Sequence, residues 1–281
     1  MIPDSTTYET LYSNRAAVPD FQSYFDRWAQ RSVVARRELD AELDVPYGDD
    51  RMETLDIFRP RGESRALLMF IHGGYWRSLD KKDHSFVAAP FLNAGVAVAA
   101  INYSLCPAVK VEDIVLQCLK AGAWLYRNAA EVGAPRNRIF VAGHSAGGHL
   151  AVMCLAAQWP RYSAGLPQKV IQGALSISGL YDLEPISRTP SINVDLKLTE
   201  ADARKLSPAW MPPATRAPLW IAVGGREIGG FKEQHALIAN RWSSVLAGDI
   251  PCPDDNHFSI LDTFANADSA LCKAALKMMG L

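Results

Sequence analysis

Residues 143–147 read Gly-His-Ser-Ala-Gly, one serine with a glycine two positions to either side. The run before it, "RIFVAGHS" (138–145), is short and aliphatic, as in a strand buried on both faces. The run after it, "AGGHLAVMCLAAQ" (146–158), reads as a helix. At a tight strand-to-helix turn a serine stands on strained backbone with its hydroxyl exposed, and side chains at the flanking glycine positions would clash. Ser145 is therefore a candidate nucleophile for a carbonyl carbon; the plainer alternative is a small residue at a turn. The choice depends on whether the chain also supplies a base, an acid and an anion hole.

A serine hydroxyl needs a base within hydrogen-bond reach. The six histidines stand at 72, 84, 144, 149, 235 and 257. His144 and His149 adjoin Ser145, but the turn points the serine away from its own neighbours. His84 and His235 sit in stretches that read as helical and solvated. His72 opens a double-glycine loop and reads as an organiser of that loop. His257, in "CPDDNHFSI", follows the last strand-like run and precedes the final helix, which makes it the expected base. For the acid, Glu227 in "VGGREIGGF" ends a strand, and a carboxylate there could accept the Nδ1 proton of the base. Asp182 in "SGLYDL" is the competitor, whereas Asp254 and Asp255 are too close to His257 to turn back onto it. The anion hole is expected in "IHGGYW" (71–76), where glycines let backbone N–H groups converge on developing charge. The donors are the amides of Gly74 and Tyr75, with Gly73 and with Ala146 after the serine.

Five aliphatic runs, at 66–73, 95–103, 138–145, 170–178 and 217–225, read as buried strands. Helical stretches at 111–133, 146–158, 231–246 and 258–280 alternate with them; Ile114, Cys118, Ala121 and Leu125 make the apolar face of the first, and Gly133 is its expected cap. Alternation of this kind predicts an α/β domain with a mostly parallel sheet covered on both faces. Residues 1–45 read as an amphipathic helical cover, with Phe21, Phe25, Trp28 and Val33 at loosely helical spacing. The Pro- and Ser-rich segment 181–216 interrupts the rhythm as a lid or pocket wall, its one clear helix signal being Thr199 ahead of "EADARKL". The whole of 1–281 is expected to be one domain.

Composition narrows the partners. With 49% hydrophobic and 21% charged residues and a net charge of -1, a phosphate-tracking surface or membrane patch is not expected. No run approaches the length of a spanning helix, and the first residues lack the basic and apolar regions of a secretory signal, so a cytoplasmic location is expected. Five scattered cysteines give neither a disulfide framework nor a thiolate zinc site. The expected partner is a small-molecule substrate, with no nucleic acid, membrane, metal or cofactor, and a homodimer is left open.

Taken together, HGGYW at 72–76, GHSAGGHL at 143–150, Gly-Gly-x-Glu at 224–227, His-Phe at 257–258, "NRAAVPD" near the start and "LSP" at 206–208 resemble the α/β-hydrolase superfamily. The likeness is to its kynurenine formamidase (arylformamidase) branch and close esterase relatives, and runs from about Tyr12 to the last helix. The Tyr-Trp pair is the more specific signal, because most lipase-type esterases of this superfamily carry a third glycine where Tyr75 stands. The resemblance implies the α/β-hydrolase fold, Ser145 as nucleophile, His257 as base, Gly74, Tyr75 and Ala146 as oxyanion donors, and an acyl-enzyme. Glu227 departs from the Asp often found in relatives. Tyr75 and Trp76 are expected to contact a flat aryl substrate, with Tyr103, Phe258 and Trp210 as further aromatic surface; no arginine is assigned as a carboxylate clamp. The expected reaction is hydrolysis of a small aryl formamide or short-chain aryl ester. The alternatives are a broad short-acyl carboxylesterase and a non-catalytic ligand-binding homologue.

Overall fold

The five aliphatic runs form the middle of one eight-stranded sheet in the computed structural model, which describes residues 5–281. In chain order the strands are β1 (Ala41–Pro46), β2 (Thr54–Phe58), β3 (Ala66–Ile71), β4 (Val96–Ile101), β5 (Ile139–His144), β6 (Ile171–Ile177), β7 (Leu219–Gly224) and β8 (Leu246–Cys252). Their order in the sheet is β1-β2-β4-β3-β5-β6-β7-β8, with β2 antiparallel to both of its neighbours, β1 and β4, and all other pairs parallel. Every residue of β3, β4 and β5 is buried, and the two-residue period of the strand divides them between two cores. Leu67, Met69 and Ile71 face one; Leu68 and Phe70 face the other. Helices Val111–Arg127 and Ala146–Ala156 cover the first core, while Phe21–Glu38 and Ala270–Met278 cover the second. The α/β-hydrolase fold expected from the sequence is the one observed.

Three strands escape a search for aliphatic runs. β1 and β8 are edge strands whose residues are mostly half-buried or exposed, and β8 contains Gly248, Asp249 and Pro251, which a strand tolerates only where one side lacks a partner. β2 carries Asp56 at its centre, fully buried. That charge is matched by Lys81, whose Nζ donates to Asp56 Oδ1 at 2.7 Å, by Arg36, and by the Asp44 amide at 2.8 Å.

The helices are shorter than expected. The run 111–133 breaks at Asn128, whose side chain donates to Trp124 O, before a second turn that Gly133 closes with φ 79°. The run 231–246 begins earlier, at Gly229, and ends at Arg241; Trp242 then turns inward and donates to Pro208 O and Met211 O, freeing the chain to enter β8. The run 258–280 is two helices, Ser259–Phe264 and Ala270–Met278, the second capped by Ser269. On Phe21–Glu38 the buried positions are Trp28, Ser32 and Ala35, at i, i+4 and i+7; Val33 lies off that face and is 64% exposed. The segment 181–216 holds helices Glu184–Ser187, Pro190–Leu196 and Glu200–Lys205, the last capped through Thr199 and Asp202.

Lys81→Met leaves Asp56 with one fewer cation inside the sheet. We expect a loss of about 3 kcal/mol in urea unfolding; a change below about 1 kcal/mol would show that Arg36 neutralises Asp56 unaided.

Candidate active site

The turn after β5 is where the sheet and sequence meet. Ser145 has φ 58° and ψ -120°, left-handed backbone that a non-glycine residue adopts at a cost of about 1–3 kcal/mol. Two hydrogen bonds hold it there: its N–H donates to Ile177 O at 2.8 Å, and its carbonyl accepts from His149 N at 3.1 Å. The return helix passes so close to β3 that a Cβ on Gly147 would lie 2.0 Å from Ile71 O. No side chain fits there.

His257 reaches this serine from the far end of the chain. The Ser145 hydroxyl lies 3.0 Å from His257 Nε2, and His257 Nδ1 lies 2.6 Å from Glu227 Oε2. The other Glu227 oxygen accepts from Ser178 Oγ at 2.5 Å and from the Gly224 amide at 2.7 Å. Glu227 therefore keeps its charge satisfied although its side chain is fully buried. Asp182 makes no contact with His257; its Oδ1 accepts from the Glu184 amide, the local turn bond expected of an aspartate there. The arrangement lets the imidazole take a proton from Ser145 while the carboxylate fixes its tautomer.

The remaining histidines are structural, and not all in the expected way. His144 donates from Nε2 to His257 O at 2.8 Å, so the residue before the serine holds the loop that carries the imidazole. Burial, then the nearby His257, push the His144 pKa well below its ordinary value. His84, expected in solvent, is fully buried between two 3₁₀ turns and stacked 5.5 Å from His72; burial lowers its pKa to about 3. His235, also expected in solvent, is half-buried and faces Asp249 at 3.0 Å. His72 faces Gly73 O through Nδ1 at 2.8 Å and stacks on Tyr103 at 4.3 Å, consistent with a loop organiser.

The loop after β3 lies against the serine: a Cβ on Gly73 would stand 3.0 Å from Ser145 Cβ and 2.8 Å from His144 O. The amides of Gly73, Gly74, Tyr75 and Ala146 donate to no acceptor among the described residues. Tyr75 and Trp76 both have positive φ, 50° and 56°. The Tyr75 hydroxyl donates to Tyr12 O at 2.6 Å, and Trp76 O accepts from Cys106 N at 2.8 Å. Trp76 corrects the expectation of a substrate contact. Its ring is fully buried, edge-on to His149 at 5.1 Å, and takes no part in lining the cavity; it is an anchor for strained backbone. Tyr103 is likewise buried under His72, and Trp210 lies 48% exposed beneath Arg241.

Beside Ser145 lies a cavity of about 100 Å³. Tyr75 and Phe258 line it as expected, but much of its wall comes from the N-terminal cover: Asn14, Arg15, Phe25 and Trp28. Ser191 and Ile192 of the 181–216 segment complete one side. The cover is fastened to the chemistry, because Phe258 packs among Phe21, Tyr24, Phe25 and Trp28, and Asn256 donates to Tyr24 Oη. Ser178 and the cavity-lining residues of the cover were not singled out from the sequence as site residues. For Asn14 and Arg15 the only sequence signal is "NRAAVPD", and Phe25 and Trp28 read only as the apolar face of the cover.

Fold and site together describe a hydrolase of the α/β-hydrolase class. The family model described as BD-FAE matches residues 55–190. A kynurenine formamidase of Salmo salar is 32% identical, covering 96% of this chain and 92% of the relative; one of Danio rerio is 31% identical, covering 88% and 84%. Among solved structures, a candidate thioesterase from Silicibacter sp. TM1040 superposes with TM-score 0.84 at 32% identity, covering 94% of this chain and 96% of that one. Esterase B of Lactobacillus rhamnosis, at 15% identity, TM-score 0.71 and coverage of 95% and 94%, shares the fold. The chain belongs to the kynurenine formamidase family.

Glu227→Gln is expected to lower kcat by roughly 10²- to 10⁴-fold, whereas Asp182→Asn stays near wild type; the reverse ranking in steady-state kinetics would move the acid to Asp182. A second expectation concerns pH. An unfolded histidine titrates near 6.5, while burial pushes His84 to about 3 and His149 to about 4. Between those values the unfolded chain binds protons that the folded protein does not. Stability is then complete above about pH 6.5 and falls as pH drops, by about 1.4 kcal/mol per unit per histidine. Urea midpoints between pH 7.5 and 5.5 should show that fall, and His84→Gln should make it shallower. An unchanged slope would mean that His84 protonates in the folded protein.

Proposed function

We propose that this protein is a cofactor-free serine hydrolase that deformylates a small aryl formamide of the N-formylkynurenine type. The observation that carries the reading is the continuous hydrogen-bonded chain from Ser145 Oγ through His257 to Glu227. The names of the two long-range relatives support the formamide substrate. Ser145 Oγ attacks the formyl carbon as His257 Nε2 takes its proton, and the carbonyl oxygen becomes an oxyanion facing the amides of Gly74, Tyr75 and Ala146, with Gly73 beside them. Collapse breaks the C–N bond, and His257 returns the proton to the departing aryl amine. Water, deprotonated by His257, then attacks the formyl-serine and releases formate. Electrostatic stabilisation by Glu227 keeps the imidazolium affordable in a buried site.

The cavity fits a flat ring. Phe25, Trp28, Tyr75 and Phe258 give it aromatic surface, on which an aryl group stacks, and its size favours a small acyl group next to the serine. The same machinery cleaves short-chain aryl esters, whose leaving group is better. No described helix is long and apolar enough to cross a membrane, and five buried unpaired thiols suit a reducing compartment such as the cytoplasm.

The test is a substrate panel. Purified protein should hydrolyse N-formylkynurenine with kcat/KM above that for p-nitrophenyl acetate, and Ser145→Ala should lower both by at least about 10³-fold. A clear preference for the ester would make the protein a carboxylesterase; turnover that survives Ser145→Ala would overturn the serine mechanism.

A further inference from the structure

The cavity that ends at Ser145 also contains polar groups for which hydrolysis has no use. Asn14 lines it, is only 4% exposed, and neither Oδ1 nor Nδ2 has a hydrogen-bond partner. Buried side-chain amides are nearly always paired. An orphan that offers both donors and an acceptor, in the wall of the cavity that holds the reacting hydroxyl, marks the place of a partner that arrives with the substrate.

The neighbouring residue supplies the charge. Arg15 lines the same cavity, and its guanidinium lies over the rings of Phe21 at 5.2 Å and Phe25 at 5.6 Å. Ring contacts of this kind steady the guanidinium plane and leave the N–H edge free for an anion. Among the described residues Arg15 has no carboxylate partner, in contrast to Arg77. That second arginine of the wall donates to Asp195 Oδ2 and Ser191 O, both at 2.7 Å, and so ties the 181–216 segment down. The pKa of Arg15 is lowered, first by partial burial and then by the charge of Arg77. An anion bound at Arg15 would offset the positive charge of Arg77.

Position ties these groups to the reacting hydroxyl. Asn14 and Arg15 stand two and three residues after Tyr12, and the Tyr12 carbonyl accepts from the Tyr75 hydroxyl on the loop after β3. Tyr12 is itself held by Gln234, whose Nε2 donates to Tyr12 Oη at 3.3 Å. This strap of the N-terminal cover, residues 12–15, is therefore fixed relative to Ser145, so a substrate group bound at Asn14 or Arg15 has a set distance to the scissile carbonyl.

We propose that Asn14 and Arg15 form the subsite that selects carboxylate-bearing aryl substrates, the guanidinium taking the carboxylate and the Asn14 amide an adjacent donor or acceptor of the same substituent. This rests on the hydrolase reading above, since it places the carboxylate relative to a carbonyl at Ser145. Charge-assisted hydrogen bonds in a partly desolvated wall discriminate between an anion and its neutral ester.

The experiment compares N-formylkynurenine with its methyl ester, which has the same scissile bond and no carboxylate. Wild-type protein should prefer the acid by at least about 10-fold in kcat/KM. Arg15→Gln and Asn14→Ala should bring that ratio towards 1, chiefly through KM for the acid, and Asn14→Asp should lower it further by repelling the carboxylate. Variants that fold with wild-type Tm and keep the full ratio overturn the proposal. Arg15 is exposed, so its variant keeps the test open should the Asn14 variants fail to fold. A calorimetric titration of Ser145→Ala with kynurenine and with kynurenine methyl ester decides the subsite independently of turnover. Weaker binding of kynurenine in Ser145→Ala/Arg15→Gln supports the subsite even if the formamidase reading fails, and equal binding of both ligands removes the subsite even if that reading stands.

Discussion

The backbone reversal at Ser145 is the constraint on which the rest of the site depends. A φ of 58° on a residue with a side chain is uphill by itself, and it persists because the flanking β5 and the helix Ala146–Ala156 are immersed in the sheet and its covering core. The reversal throws the hydroxyl out of the sheet and turns the first helical amide, that of Ala146, to the same side. It also forces the helix back across the end of β3, where Gly147 meets the carbonyl of Ile71. Because β3 runs straight into the glycine pair at 73 and 74, the close packing that fixes the serine also brings the second set of amides to it. One strained residue thus determines the positions of two loops.

The imidazole and its carboxylate come from strand ends that parallel pairing places beside this turn. Gly143 pairs with Ser176 and Ala174 with Leu219, so the C-terminal ends of β5, β6 and β7 lie in sequence across the sheet. Ser178 beyond β6 and Glu227 beyond β7 then meet at 2.5 Å. The carboxylate is buried, yet it accepts from a hydroxyl, an amide and the imidazole, which replaces the water it has lost. His144 adds a constraint from the opposite direction, because its bond to the His257 carbonyl ties the base loop to the nucleophile's own strand. The depressed pKa of His144 leaves it neutral, so it adds no positive charge beside His257.

What the sequence makes legible follows the same physics. Strands buried on both faces must be aliphatic throughout, which is why β3 to β7 can be read directly. β1 and β8 face solvent along one edge and carry polar residues, and β2 hides its signal behind Asp56, whose burial is intelligible only once Lys81 and Arg36 arrive from elsewhere. The Ser145, His257 and Glu227 positions are legible because each needs a residue type at a strand end that few others can supply. Trp76 is misleading for an equally physical reason. A tryptophan beside an anion hole has two uses, touching the substrate or holding the loop, and sequence spacing does not distinguish them; the burial of its ring does.

The N-terminal cover shows why a residue's distance in sequence from the chemistry says little about its part in it. The loop carrying the two left-handed residues Tyr75 and Trp76 has only a short turn of its own, in which Arg77 N and Ser78 N donate to Gly74 O, and further ties reach it from outside. Trp76 is held by the core beneath, and Tyr75 by the carbonyl of Tyr12 in the strap above. A third glycine in place of Tyr75 would have freed the backbone and removed that tie. The tyrosine therefore couples the geometry of the loop after β3 to the segment that lines the cavity opposite it. A wall joined in this way to the loop after β3 cannot shift without moving the amides of Gly74 and Tyr75 that we propose as oxyanion donors.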